Sequence, residues 1–158
     1  MKLKSVEIYG FKSFADRVII NFDDGVTGIV GPNGCGKSNI VDAIRWTLGE
    51  QSSKILRGEN MQDMIFNGTA ARKSLSYCEV TITFDNTDQQ IFPQLNFEEV
   101  RISRKLYRSG ESEYLINGVT SRLRDVLALI RDTGLGREGY SIVGQGKVDE
   151  IMNAKPKD

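Results

Sequence analysis

The stretch Gly31-Pro32-Asn33-Gly34-Cys35-Gly36-Lys37-Ser38 constrains this chain more than any other, because it matches G-x-x-x-x-G-K-[ST] at every position. Small residues let the backbone wrap closely, so that successive N–H groups point inward at a cluster of anionic oxygens. The helix that follows the loop adds its own N-terminal N–H groups and the positive end of its dipole. Lys37 supplies a point charge for the β and γ oxygens of a nucleoside triphosphate, and Ser38 a hard hydroxyl ligand for Mg²⁺. The flanks agree with this reading. Val26-Thr27-Gly28-Ile29-Val30 is a short apolar run of the kind buried in a sheet. After the loop, Ile40, Val41, Ile44 and Leu48 recur at helical spacing up to Gly49, a C-cap residue. Cys35 inside the loop reads as a small tolerated filler, with a redox-sensing role as the alternative.

Composition excludes several other chemistries. A chain of 158 residues has the length of one domain, and 39% hydrophobic with 27% charged residues is ordinary globular usage. Lys plus Arg and Asp plus Glu are both 21, which argues against a wholly basic DNA-coating protein but allows a local basic patch. Histidine is absent, so His-based zinc sites, Ser-His-Asp triads and imidazole bases are ruled out within this chain. Cys35 and Cys78 form no CxxC pair, which argues against a disulfide framework and fits a reducing compartment. No apolar run approaches about 18 residues, so no membrane span and no signal peptide are expected.

The rest of the chain divides by period. Leu3, Val6, Ile8 and Phe11, and then Arg17 to Phe22, read as two strands before the loop. The middle third is β-rich: Cys78, Val80, Ile82 and Phe84 alternate with Glu79, Thr81 and Thr83. Glu99 to Tyr107 and Glu113 to Ile116 flank Arg108-Ser109-Gly110-Glu111 as a hairpin, and Asn117-Gly118 marks a further turn. A helix is expected from about Ser121 to Asp132, with Leu123, Val126, Leu127 and Ile130 on one stripe. The expected fold is therefore α/β, with a parallel-strand core around the phosphate loop and an antiparallel β subdomain.

Further blocks lie in order along the chain. Gly10-Phe11-Lys12-Ser13-Phe14 precedes the loop, and Asn39-Ile40-Val41-Asp42-Ala43-Ile44-Arg45-Trp46 continues it. Leu48-Gly49-Glu50-Gln51-Ser52, Leu56-Arg57-Gly58 and Asp63-Met64-Ile65-Phe66-Asn67-Gly68 follow, then Gly134-Leu135-Gly136 and Ile142-Val143-Gly144-Gln145-Gly146. Together these closely resemble the N-terminal half of the ATPase head of bacterial structural maintenance of chromosomes (SMC) proteins, a branch of the ABC-type ATPases. The resemblance weakens from Asp85 to Glu99, which reads as a variable surface turn.

The resemblance implies that 1–158 is a single N-terminal lobe carrying the phosphate loop and Q-loop. It implies ATP and Mg²⁺ as ligands, held by Pro32, Asn33, Gly34, Cys35, Gly36, Lys37, Ser38 and Asn39. Gln145 stands at the Q-loop position, next to Mg²⁺ and the water near the γ-phosphate. Lys12 and Ser13 stand near the phosphates and sugar, and Asp63 at a loop close to the nucleotide. Arg57 stands at the family's arginine-loop position, where a cation suits developing phosphate charge. Lys37, Gln145 and Arg57 are thus the catalytic candidates, and Ser38 and Gln145 the metal ligands.

The partners implied are the C-terminal lobe of the same head, a second SMC head, DNA and kleisin-type accessory subunits, in a cytoplasmic, nucleoid-associated setting. Six basic residues, Arg101, Arg104, Lys105, Arg108, Arg122 and Arg124, outnumber Glu111 and Glu113 in their span and are candidates for a DNA-facing patch. Trp46 and Leu48 read as core or lobe-interface residues.

Half of the family's active site is missing from the sequence. There is no L-S-G-G-x signature, and Val148-Asp149-Glu150 lacks the hydrophobic strand that precedes the family's carboxylate pair. The coiled coil, hinge and C-terminal lobe are also absent, so the chain alone is expected to bind ATP weakly and to hydrolyse essentially none. The function implied is chromosome condensation and segregation through ATP-dependent head engagement. The alternatives are a related SMC-like repair ATPase lobe or a self-contained small P-loop kinase. A kinase needs its own Mg²⁺ carboxylate and acceptor site, and neither is visible.

Overall fold

The computed structural model describes residues 2–12, 14–21, 35–49, 61–68, 73–85 and 98–133. The strands among them are β1 Lys2–Tyr9, β2 Val18–Asn21, β3 Tyr77–Asp85, β4 Glu99–Tyr107, β5 Ser112–Ile116 and β6 Val119–Ser121. The helices are α1 Cys35–Thr47 and α2 Leu123–Thr133, and a 3-10 turn covers Met61–Met64.

All six strands form one antiparallel sheet in the order β2-β1-β3-β4-β5-β6. Strands β1 and β2 therefore extend the β-rich middle third of the chain. The parallel strand expected at Val26 to Val30 lies outside the described residues.

Period-two alternation decides which face is dry. On β3, Cys78, Val80, Ile82 and Phe84 are buried, and β4 sets Val100, Ile102 and Leu106 beside them. Val6, Ile8 and Ile20 complete that face on β1 and β2. Each such side chain contributes about 1.5–3 kcal/mol relative to exposure. The opposite face is polar. There Arg17 lies over the Tyr9 ring, 5.1 Å from its centroid, and reaches Glu7 at 3.1 Å and Glu79 at 3.5 Å. Burial pulls the Arg17 guanidinium down, but the hydrogen bonds and charges of Glu7 and Glu79 together outweigh it and raise its pKa.

Helix α1 covers the dry face against β3 and β4 with Ile40, Ala43, Ile44 and Trp46. Trp46 is fully buried and tilts against Phe11, with ring centroids 5.2 Å apart. The helix ends as the sequence suggests. Gly49 adopts φ 109, its N–H donates to the Trp46 carbonyl at 3.2 Å, and α2 presses Leu127 where a β-carbon would stand. Both hairpin expectations hold, with β4 and β5 joined through Arg108 to Glu111, and β5 and β6 through Asn117-Gly118, both at positive φ.

Helix α2 differs at its start. Ser121 is the last residue of β6, and its hydroxyl donates to the Val119 carbonyl rather than capping a helix. Arg122 takes the cap position, and the Asp125 carboxylate accepts from its N–H at 3.0 Å. No helix among the described residues is long and apolar enough to cross a membrane.

Candidate nucleotide site

The phosphate loop runs directly into α1. The helix begins at Cys35, so Cys35, Gly36, Lys37 and Ser38 form its first turn. The backbone N–H groups of that turn have no partner within the helix and meet the positive end of its dipole. This is the backbone that an anionic ligand needs. Asn39 follows on the same helix, half-buried. The side chains of 35–38 lie outside the described residues, as do Pro32, Asn33, Gly34, Ser13, Arg57 and Gln145. Among the described residues no His, Cys, Asp and Glu cluster is arranged to hold a metal ion.

Strand β1 delivers Lys12 to this helix. Gly10 turns the chain at φ 66, and a β-carbon there would meet the Tyr77 carbonyl oxygen at 2.7 Å. Lys12 itself adopts φ 52, a left-handed conformation that is uncommon outside glycine. Two backbone hydrogen bonds hold the turn: Lys12 N–H donates to the Met64 carbonyl at 2.6 Å and Phe66 N–H to the Gly10 carbonyl at 2.7 Å, which together make the bridge between Phe11 and Ile65. The structure thus brings Lys12 together with the 3-10 turn that carries Asp63, whose side chain is not described.

The side chain of Lys12 completes the junction. Its Nζ donates to Asp42 Oδ2 at 2.6 Å, with the two side chains 13% and 4% exposed. Asp42 lies on α1 between Ile40 and Ala43, both buried. Asp42 belongs to the Asn39 to Trp46 block of the sequence, where no role attaches to it. The signal was a carboxylate inside an apolar helical stretch, and such a group is rarely buried unless paired.

The basic excess over 101–124 does not form one surface. Arg104 points from β4 to the dry face, 2% exposed, with Cζ 4.5 Å from the Trp46 ring centroid and 5.0 Å from that of Tyr114. Its Nη1 donates to the Trp46 carbonyl at 2.8 Å, at the end of α1. Arg108 donates to the Leu75 and Phe66 carbonyls and to Asn67 Oδ1. Lys105 is 3.3 Å from Glu79, a bond that raises its pKa. Arg101, Arg122 and Arg124 are exposed and form no ion pair among the described residues, whereas Arg108, also exposed, spends its guanidinium on its three acceptors.

Comparison with known proteins agrees with this geometry. Residues 2–146 match the family described as RecF/RecN/SMC N terminal domain. The Chromosome partition protein Smc of Clostridium kluyveri is 57% identical over all of this chain, which spans 13% of that relative's length. A solved structure from work on ATP-driven dimerization and DNA stimulated activation of SMC ATPases shares 35% identity and a TM-score of 0.78, over 99% of this chain and 93% of that one. A crystal structure of the SmcHead bound to the C-winged helix domain of ScpA shares 38% identity and a TM-score of 0.74, over 83% of this chain and 40% of that one. By its turn at Lys12, the helix that opens inside its phosphate loop and its match along nearly the whole sequence, the chain belongs to the RecF/RecN/SMC N-terminal domain family, on its SMC branch.

Proposed function

We propose that this chain is the ATP-binding lobe of an SMC head acting in chromosome condensation and segregation. The observation that carries the reading is α1, which starts at Cys35 inside the Gly31–Ser38 motif and is braced by Lys12 from β1. In this reading the loop from Pro32 to Asn39 holds the phosphates, Lys37 supplies their counter-charge, and Ser38 and Gln145 hold Mg²⁺. Mg²⁺ held there would supply charge neutralisation to the phosphates. Lys12, Ser13 and Asp63 border the nucleotide, and Arg57 and Gln145 act on its γ-phosphate end.

The chain spans about an eighth of the length of the Clostridium kluyveri relative, so hydrolysis belongs to a larger assembly in this reading. The signature motif comes from a second head, and the catalytic carboxylates from the C-terminal lobe. ATP binding shifts the population toward engaged heads. The solved relatives suggest the remaining partners, a winged-helix kleisin and DNA, in a nucleoid setting. Arg101, Arg122 and Arg124 are the members of the basic group still available to phosphates.

Mg²⁺-ATP turnover by this chain, alone and mixed with the matching C-terminal lobe, tests the reading with Lys37→Ala as control. Silence alone and Lys37-dependent turnover in the mixture support it. Robust turnover by the chain alone overturns it in favour of a self-contained P-loop enzyme.

A further inference from the structure

Lys12 combines two features that do not serve stability. Its backbone sits at φ 52, where a residue with a β-carbon is strained. Its ammonium is withdrawn from water into the pair with Asp42. A buried ion pair is often no more stabilising than two apolar side chains of similar volume. Strain and a desolvated charge on one residue therefore point to placement.

The placement follows from helix geometry. Position 42 lies four residues after position 38, on the same face of α1 and about 6 Å along the axis. Helical side chains lean toward the N-terminus, so the Asp42 carboxylate covers the turn nearer the phosphate loop. The ammonium bonded to it is held at that end of the helix. The backbone of the same turn is fixed to Met64 and Phe66. Without Asp42, a long Lys side chain would have to be ordered at the moment of ligand binding, which weakens affinity.

We propose that Asp42 is a positioning residue of the nucleotide site: it holds the Lys12 ammonium, and the 10–12 turn with it, against the helix that opens with the phosphate loop. The proposal rests on the nucleotide-binding reading above. In this proposal Asp42 acts through Lys12.

The test is isothermal titration of Mg²⁺-ATP into the full chain, well below each variant's unfolding temperature, with thermal unfolding measured in parallel. Parent binding that is lost in Lys37→Ala establishes the site. No parent binding, or binding indifferent to Lys37→Ala, overturns the nucleotide reading itself. Given the site, Asp42→Asn and Lys12→Met are each expected to raise Kd about tenfold. Asp42→Glu keeps the charge and recovers most of the affinity.

The double variant Lys12→Met with Asp42→Leu leaves no uncompensated charge, so it keeps the fold available if Asp42→Asn does not. It is expected to bind as weakly as either single variant, without further loss. Three results overturn the positioning role: parent-like Kd in folded Asp42→Asn, parent-like Kd in the double variant, or weakening by Asp42→Asn with none by Lys12→Met.

Discussion

Arg104 holds Trp46 by both its ring and its backbone: the guanidinium sits over the indole at 4.5 Å and donates to the Trp46 carbonyl at 2.8 Å. The bond occupies a carbonyl at the C-terminal end of α1, where a cation also meets the negative end of the dipole. Tyr114 closes the other side of the guanidinium at 5.0 Å. The sheet thereby grips the far end of the helix whose near end is the phosphate loop.

Removing that grip has a measurable cost. Arg104→Ala is expected to lower unfolding free energy by about 3 kcal/mol or more, through emptied volume and the loss of a charged donor from the Trp46 carbonyl, which keeps only the Gly49 N–H at 3.2 Å. Arg104→Lys keeps the charge but loses the planar fork, at about 1–2 kcal/mol. Denaturant unfolding followed by tryptophan emission reads both, because Trp46 is the one tryptophan in the sequence. A loss below about 1 kcal/mol in Arg104→Ala would contradict the packing described.

Gly10 and Gly49 both stand at positive φ, yet their substitutions differ in kind. At Gly49 a β-carbon would meet Leu127 Cδ2 at 2.5 Å, the end of a movable side chain. At Gly10 it would meet the Tyr77 carbonyl oxygen at 2.7 Å, part of the sheet backbone. Both alanine variants carry a strain of about 1–2 kcal/mol from φ. Gly10→Ala adds a clash that nothing nearby relieves, so its thermal midpoint falls further. Adding Leu127→Ala to Gly49→Ala is expected to return part of the lost stability. No return in the double variant would place the whole cost in the backbone.

Cys78 is fully buried, and burial pushes its thiol up to about 12. The unfolded thiol ionises near 8.5, so between that pH and 12 the unfolded chain binds fewer protons than the folded one. Stability from this group is whole below the unfolded value and declines as pH rises toward 12, by at most about 1.4 kcal/mol per pH unit. In a Cys35→Ser background, the fall in stability between about pH 9 and 10.5 should be steeper than in the same chain with Cys78→Ala. Equal slopes would show that the thiol is not desolvated. Alkylation at pH 8 should likewise wait for unfolding.

Arg108 is exposed, yet its guanidinium binds three acceptors on the segment leading from the 3-10 turn to β3. Arg108→Ala is expected to cost about 1 kcal/mol globally, little enough to leave the fold intact. Its local effect is larger. Amide exchange at Leu75, whose N–H donates to the Phe66 carbonyl at 3.1 Å, should quicken well beyond the global change. Uniform acceleration across the sheet would refute a local role.

Local pattern carried much of this fold. The row Cys78, Val80, Ile82 and Phe84 is visible as alternation, and Asn117-Gly118 as a turn, because both depend on neighbours in sequence. Arg104 lies on the dry face despite its charge, because period outweighs charge on a strand. Its position two residues from Ile102 and Leu106 already assigned it to the dry row. The phosphate loop and Lys12 were legible as site residues, but the Lys12–Asp42 pair was not, since it joins residues thirty apart through tertiary packing. The insertion of β1 between β2 and β3 is equally non-local.

The pairing of β1 with β3 also fixes an order of assembly. Strand β1 precedes β3 along the chain, so its inner edge has no partner until Tyr77–Asp85 has emerged. The segment bearing the phosphate loop is thus threaded out as an open span and becomes a closed ring of chain when those two strands zip. Closing a ring of that size is the entropically demanding step, whereas β4, β5 and β6 then add by neighbouring hairpins or a single connection. A nascent chain halted before β3 would carry the whole phosphate-binding motif and the β1–β2 pair, yet lack the β3 and β4 rows on which α1 packs.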